Sequence, residues 1–407
     1  MVRYYASWIL PISGPPIRDG WVAVDRDRVV AYGPAGRHAV DSDTAREVDL
    51  GHVAIMPGLV NAHTHLELSY LRDQVPAGSS FVAWIRAVMA ARRQYADPKA
   101  PTILDAADQG IAEALRSGTA IVGDISNTLA TFDAVERSRL AAVIFYELIG
   151  FRAPDPKAVV ARATQQIAAL PATDRVRVSL AAHAPYSVAP LVLRAIRQAL
   201  DRNPFATCSV HLAESVEEIE FIRTGGGPCR ELLEDLGVWD AAWAAPGVSP
   251  VQYLDENGFL NGRVMAVHGV QADAADLARL MVRGTTLVTC PRSNERTGAG
   301  TPPIEAFYAS GVRVAVGTDS LASTPDLNLF AELATLRRLA PSVPASMLLD
   351  SATRQGARAL AFDGEYGTLD PGKLARLLAV DVPRGADDVE EYLVSGIQPE
   401  QLSWIEG

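Results

Sequence analysis

The sequence predicts an α/β protein, a (β/α)8 TIM barrel carrying a small β-sandwich domain built from both termini. Three observations lead there. Eight short apolar, β-branched runs recur through the middle of the chain, each followed by an amphipathic stretch. The two ends read instead as alternating, turn-rich segments. Five of the seven histidines fall where an apolar run ends.

In chain order the runs are "MPGLVNAHTH" (56–65), "TAIVGDIS" (119–126), "AAVIFYELIG" (141–150), "VRVSLAAHAPYS" (176–187), "CSVHLAES" (208–215), "RVMAVHGV" (263–270), "TTLVTCPRSN" (285–294) and "RVAVGTDS" (313–320). Near-continuous apolarity means strands covered on both faces, which is the habit of parallel sheets. The intervening "TILDAADQGIAEALRSG" and "APLVLRAIRQALDRN" have helical periodicity. Eight such units suit a closed barrel, with an active site at the C-terminal ends of its strands. The stretch between the fifth and sixth runs exceeds a minimal crossover and is expected to hold a helix or two. At the flanks, "GWVAVDRDRVVAYGP" and "YGTLDPGKLARLLAVDVP" read as short strands around turns. The expected division is therefore 1–55 plus 366–407 as one composite β domain, and 56–365 as the barrel.

Composition narrows the partners. A formal charge of −11 argues against nucleic acid and anionic membrane, since neither would be attracted. No apolar window of about 18 residues is present to span a bilayer. The first residues lack a long apolar core and a small-residue cleavage site, so a cytoplasmic protein is expected. Cys208, Cys229 and Cys290 are far apart and form no CxxC pair, which favours neither disulfides nor a thiolate metal site.

Side chains two apart on a strand share a face, so His63 and His65 can converge on one point. His211 ends the fifth run, and Asp319 ends the eighth, beside the first in a closed barrel. Three imidazoles and a carboxylate make a site for one divalent ion, Zn²⁺ first, with Fe²⁺ or Mn²⁺ as alternatives. A single buried histidine is commonly a hydrogen-bonded core residue; it is the HxH pair plus two further strand-end donors that points to metal. Glu214 lies three residues past His211, either a helix-start carboxylate or a proton carrier beside a metal-activated water. His268 could be a fourth nitrogen ligand or a group that orients that water. His183 could contact substrate or cap the following turn. Lys99, Lys157 and Lys373 are the only lysines, and none ends a strand to bridge two metals, so one ion is expected.

Taken together, "PGLVNAHTH", "HAPYS", "HLAES", "HGV" and "GTDS" resemble the amidohydrolase superfamily, in its nucleobase and nucleoside deaminase branch. "GTLDPGKLA" is similar to the return from barrel to β domain in that branch, although "GKLARLL" departs from the commoner "GKxADL". The resemblance implies one metal held by His63, His65, His211 and Asp319. It also implies Glu214 as proton shuttle, and His268 and Asp319 beside the attacking water. The loops "NAHTHLELS", "CPRSN", "GTPPI" and "TDSLAS" look most like the 6-aminodeoxyfutalosine deaminase group of the futalosine route to menaquinone. Other branch members act on S-adenosylhomocysteine, methylthioadenosine, adenosine or guanine, and a C–Cl hydrolase with the same machinery is a further alternative.

Specificity is expected from the loops at the strand ends. Glu67 could accept from a ring N–H or be a surface charge. Trp84 could stack on a base or pack in the core. Arg152 could fork a substrate carboxylate or lie solvated in its loop. The expected partner is a small purine-like substrate, with a homodimer as the possible assembly.

Overall fold

The computed structural model describes residues 1–36, 46–171, 173–203 and 205–405. Its N-terminal strands are β1 (Val2–Ile9), β2 (Ile17–Asp25), β3 (Arg28–Pro34), β4 (Arg46–Asp49) and β5 (Val53–Pro57). The barrel strands follow: β6 (Leu59–Thr64), β7 (Thr119–Ser126), β8 (Ala141–Leu148), β9 (Val176–Ala182), β10 (Cys208–Leu212), β11 (Val264–His268), β12 (Thr286–Thr289) and β13 (Arg313–Val316). Two more, β14 (Leu377–Asp381) and β15 (Leu402–Ile405), return to the N-terminal strands. There they complete a seven-stranded mixed sheet in which β14 runs antiparallel to both β5 and β15.

The eight central strands form two four-stranded parallel ladders, β6-β7-β8-β9 and β10-β11-β12-β13. Two seams join them. At one, the Asp319 and Thr318 N–H groups donate to the His63 carbonyl at 3.0 and 3.1 Å. At the other, the His211 N–H donates to the His183 carbonyl at 2.9 Å. β7, β10, β11 and β12 are buried at every position, as strands covered on both faces must be. A helix follows each strand; five helices of this region, Pro101–Arg116, Pro156–Ala168, Pro190–Leu200, Pro250–Glu256 and Pro291–Thr297, start on a proline, which has no N–H to leave unpaired there.

Two elements differ from the sequence expectation. The first barrel strand opens at Leu59 rather than Met56, because Met56 and Pro57 are taken up pairing with Leu378 and Leu377 in the terminal sheet. The long crossover after β10 holds three helices, Val216–Thr224, Gly227–Asp235 and Pro250–Glu256. Among the described residues no helix is long and apolar enough to cross a membrane.

Candidate metal centre and active site

The strand ends deliver the expected donors to one place. Ligand atoms of His63, His65 and Asp319 lie within 4.8 Å of one another, as do those of His63, His211 and His268. The His65 and His63 Nε2 atoms stand 3.4 and 3.8 Å from Asp319 Oδ1. The His63 ring lies 5.0 Å from both the His65 and His211 rings. His63 is fully buried, and neither of its ring nitrogens has a hydrogen-bond partner. A buried polar atom left unpaired is costly, and a bound cation is the ordinary remedy. The donor set therefore fits a divalent ion. Burial, and then the neighbouring imidazoles, push His63 well below its usual range, so it stays neutral as a ligand must.

The surrounding residues set orientation. His211 Nδ1 lies 2.9 Å from the His183 carbonyl, which takes its proton and leaves Nε2 as the free donor. Glu147 Oε1 stands 3.4 Å from the same Nδ1. Asp319 accepts from Ser293 and Ser323 on Oδ2 at 2.5 and 3.2 Å, and from the Ser320 N–H on Oδ1. His268 Nδ1 faces the Asn294 amide nitrogen at 2.9 Å, which leaves the ring proton on Nε2. That Nε2 lies 3.4 Å from Glu214 Oε1. Burial first, then the acidic neighbours Asp319, Glu218 and Glu217, push the Glu214 carboxyl well above its usual range. Burial also brings His268 down to about 3 and His183 down to about 4.

Backbone strain gathers here. Ala213, His268 and Asp319 adopt φ of +50°, +79° and +61°, a region side-chain-bearing residues avoid. Gly317 permits the approach of β13 to β6: a Cβ there would stand 2.7 Å from the His63 carbonyl oxygen and 2.8 Å from its Cβ. Gly317→Ala is expected to cost about 1–3 kcal/mol of stability. It is also expected to weaken metal binding at least about tenfold by parting Asp319 from His63. Thermal melting and chelator competition measure the two effects, and an unchanged metal affinity would remove the packing argument.

A cavity of about 690 Å³ opens from the donors to the surface. His65, His183, His211, Glu214, His268 and Asp319 are part of its lining, as are Trp84 and Arg152. His183 is oriented by Ser187, 2.5 Å from its Nδ1. Glu67 is not in the lining. The turn Leu66–Leu71 folds it inward, where its carboxylate accepts from Ser126 Oγ at 2.6 Å, Thr128 Oγ1 at 2.8 Å and the Asn127 N–H at 3.0 Å. Arg92 approaches it at 3.5 Å. With those donors already in place, Glu67 braces the loop after β7 rather than facing a ring N–H.

Sequence reasoning passed over Ser293, Asn294 and Glu147. Glu147 carried a signal, an acid inside the apolar run "AAVIFYELIG". Ser293 and Asn294 carried none of their own, since only the turn into the helix Pro291–Thr297 brings them back to Asp319 and His268.

The amidohydrolase family model matches residues 54–399, most of the chain. The chain belongs to the amidohydrolase family. Such membership makes it a metal-dependent hydrolytic enzyme. This amidohydrolase is 30% identical over 402 residues to the 5-methylthioadenosine/S-adenosylhomocysteine deaminase of Moorella thermoacetica, covering 95% of this chain and 88% of that one. It is 31% identical over 357 residues to the aminodeoxyfutalosine deaminase of Deinococcus radiodurans, covering 83% and 81%. Its fold superposes on Helicobacter pylori aminofutalosine deaminase in complex with methylthio-coformycin with a TM-score of 0.85, at 25% identity, covering 100% of this chain and 98% of that one.

Proposed function

We propose that this amidohydrolase is a cytoplasmic hydrolytic deaminase of aminated purine nucleosides, acting on 6-aminodeoxyfutalosine in menaquinone synthesis. The observation that carries the deaminase reading is the buried Glu214 carboxyl 3.4 Å from His268, at the edge of the His63, His65, His211 and Asp319 donors. Those four would hold a divalent ion, Zn²⁺ by donor type, which when bound would lower the pKa of a water to about 7. Asp319 accepts a proton from the water, and the His268 Nε2–H orients it toward the ring carbon bearing the amine. Glu214 gives its proton to the adjacent ring nitrogen as the carbon–oxygen bond forms. Glu214, now a carboxylate, collects the proton of the added hydroxyl and passes it to the exocyclic amine, and the proton held by Asp319 returns to Glu214 at the end of the turnover. The carbon–nitrogen bond breaks, ammonia leaves and the ring becomes a lactam. His183 and Trp84 of the lining contact the nucleoside.

The cavity favours one substrate class. The acidic residues of its lining, Glu147, Glu214 and Asp319, all lie beside the donor histidines, and the lining also holds Arg92, Arg93 and Arg152 and the apolar Phe81, Trp84, Ile149, Phe151 and Leu236. An apolar extension ending in an anion suits that layout. The amino-acid end of S-adenosylhomocysteine carries an ammonium that meets no free carboxylate there, beside a carboxylate that the same arginines would accept. Arg92 is tied to Asn127 at 3.0 Å, and Arg152 has no ion-pair partner among the described residues. Arg152→Ala is expected to raise KM for aminodeoxyfutalosine about tenfold, the value of one charge-assisted contact, and to leave KM for adenosine unchanged. Equal effects on both would remove Arg152 from the site.

The decisive experiment is ammonia release from metal-quantified protein over a panel of aminodeoxyfutalosine, methylthioadenosine, S-adenosylhomocysteine, adenosine, guanine and cytosine. Aminodeoxyfutalosine is expected to give the highest kcat/KM. The Moorella relative is named for methylthioadenosine and S-adenosylhomocysteine, and a preference for either of them would replace the substrate while keeping the chemistry. No ammonia from any member would sink the deaminase reading.

A further inference from the structure

Glu218 is fully buried and lies outside the cavity lining, and so far it figures only as an acidic neighbour of Glu214. It sits in the first turn of the helix Val216–Thr224, which Ser215 caps by accepting the Glu218 N–H on its hydroxyl at 3.2 Å. In a capping box the acid three residues into a helix would bend back to the N–H of the cap residue itself. Glu218 reaches further. Its Oε1 accepts the Ala213 N–H at 3.1 Å and its Oε2 accepts the Glu214 N–H at 2.9 Å. Ala213 is the residue forced to φ +50°, and its carbonyl is held from the other side by the Gln271 N–H at 2.8 Å. Two consecutive backbone donors on one carboxylate fix the peptide planes on either side of the Ala213 Cα. That fixes the direction in which the Glu214 side chain leaves the chain.

We propose that Glu218 is a positioning residue, a carboxylate clamp that holds the strained Ala213–Glu214 backbone and so aims the Glu214 carboxyl at the reacting ring. The inference rests on Glu214 being the proton carrier. A proton carrier displaced by about 1 Å loses on the order of 10²-fold in rate, although binding is little changed. The consequence of loosening Glu218 is therefore a fall in kcat with KM held.

Glu218→Gln tests this. Its amide keeps one acceptor and turns an NH2 donor against the second N–H. Holoenzyme with a full metal complement is expected to lose about 10–100-fold in kcat, with KM within about threefold of the parent. In the Glu214→Gln background the same change is expected to cost nothing further, because the group it aims is already gone; that non-additivity is the signature of coupling. A kcat within twofold of the parent, whatever happens to thermal stability, would overturn the proposal, as would full additivity in the double variant. If Glu218→Gln does not fold, Glu218→Asp keeps the carboxyl group and shortens the reach. It is then expected to lower kcat at least fivefold at full metal content, and an unchanged kcat there overturns the clamp. Glu214→Gln measured alongside separates the two ideas: if it alone keeps turnover, the assignment of Glu214 fails before that of Glu218.

Discussion

Glu214→Gln is expected to fold, bind its metal and turn over at least about 10³-fold more slowly, within the range that positioned proton transfer supplies. The substitution is nearly isosteric, and the residue is only 4% exposed. Burial and the acidic neighbours Asp319, Glu218 and Glu217 push the parent carboxyl well above its usual range. The amide has nearly the size of the acid, so packing gives no reason for instability. What disappears is the capacity to hand over one proton and collect another. Metal per chain, melting temperature and ammonia release measured together make the result unambiguous. Turnover within tenfold of the parent would take the proton shuttle away from Glu214.

Metal removal is expected to have the second large effect. Stripped protein should lose turnover by more than about 10³-fold and regain it with one equivalent of Zn²⁺. Stability should fall as well. A ligand present at 1,000 times its dissociation constant contributes about 4 kcal/mol to the folded state, and the apo protein forgoes that. The structural reason is local. His63 has both ring nitrogens unpaired in a fully buried position, and without a cation the donors are polar groups taken from water with nothing in return. Calorimetry before and after exhaustive dialysis against a chelator reads the shift. An unchanged melting temperature together with retained activity would mean that these donors hold no functional ion.

Much of this was legible in the sequence because periodicity is local. The eight runs show themselves by apolar continuity, and HxH on a strand places two imidazoles on one face by the two-residue repeat. His211 and Asp319 follow once the runs are counted, since a closed barrel makes the last strand a neighbour of the first. Glu67 was opaque for the opposite reason. It sits four residues after His63, but a tight turn swings it away from the cavity toward Ser126, Asn127 and Thr128, and no pattern in "HLELSY" shows that direction. Ser293, Asn294 and Glu218 likewise act through where a turn ends, which depends on packing rather than on spacing. Met56 and Pro57 extend an apolar run that continues into β6, so the change of sheet at Leu59 is invisible until β14 is found alongside.

The two seams of the barrel carry one more consequence. His63 and His65 belong to the first half-barrel, His211 and Asp319 to the second, and the backbone bonds that zip the halves run through His63, Asp319, His183 and His211 themselves. Whatever occupies the centre is thus a rivet driven through both halves at the lips where they meet. Loss of the rivet frees the two halves to breathe against each other along both edges, and the mouth of the cavity would be the first part of the molecule to feel it.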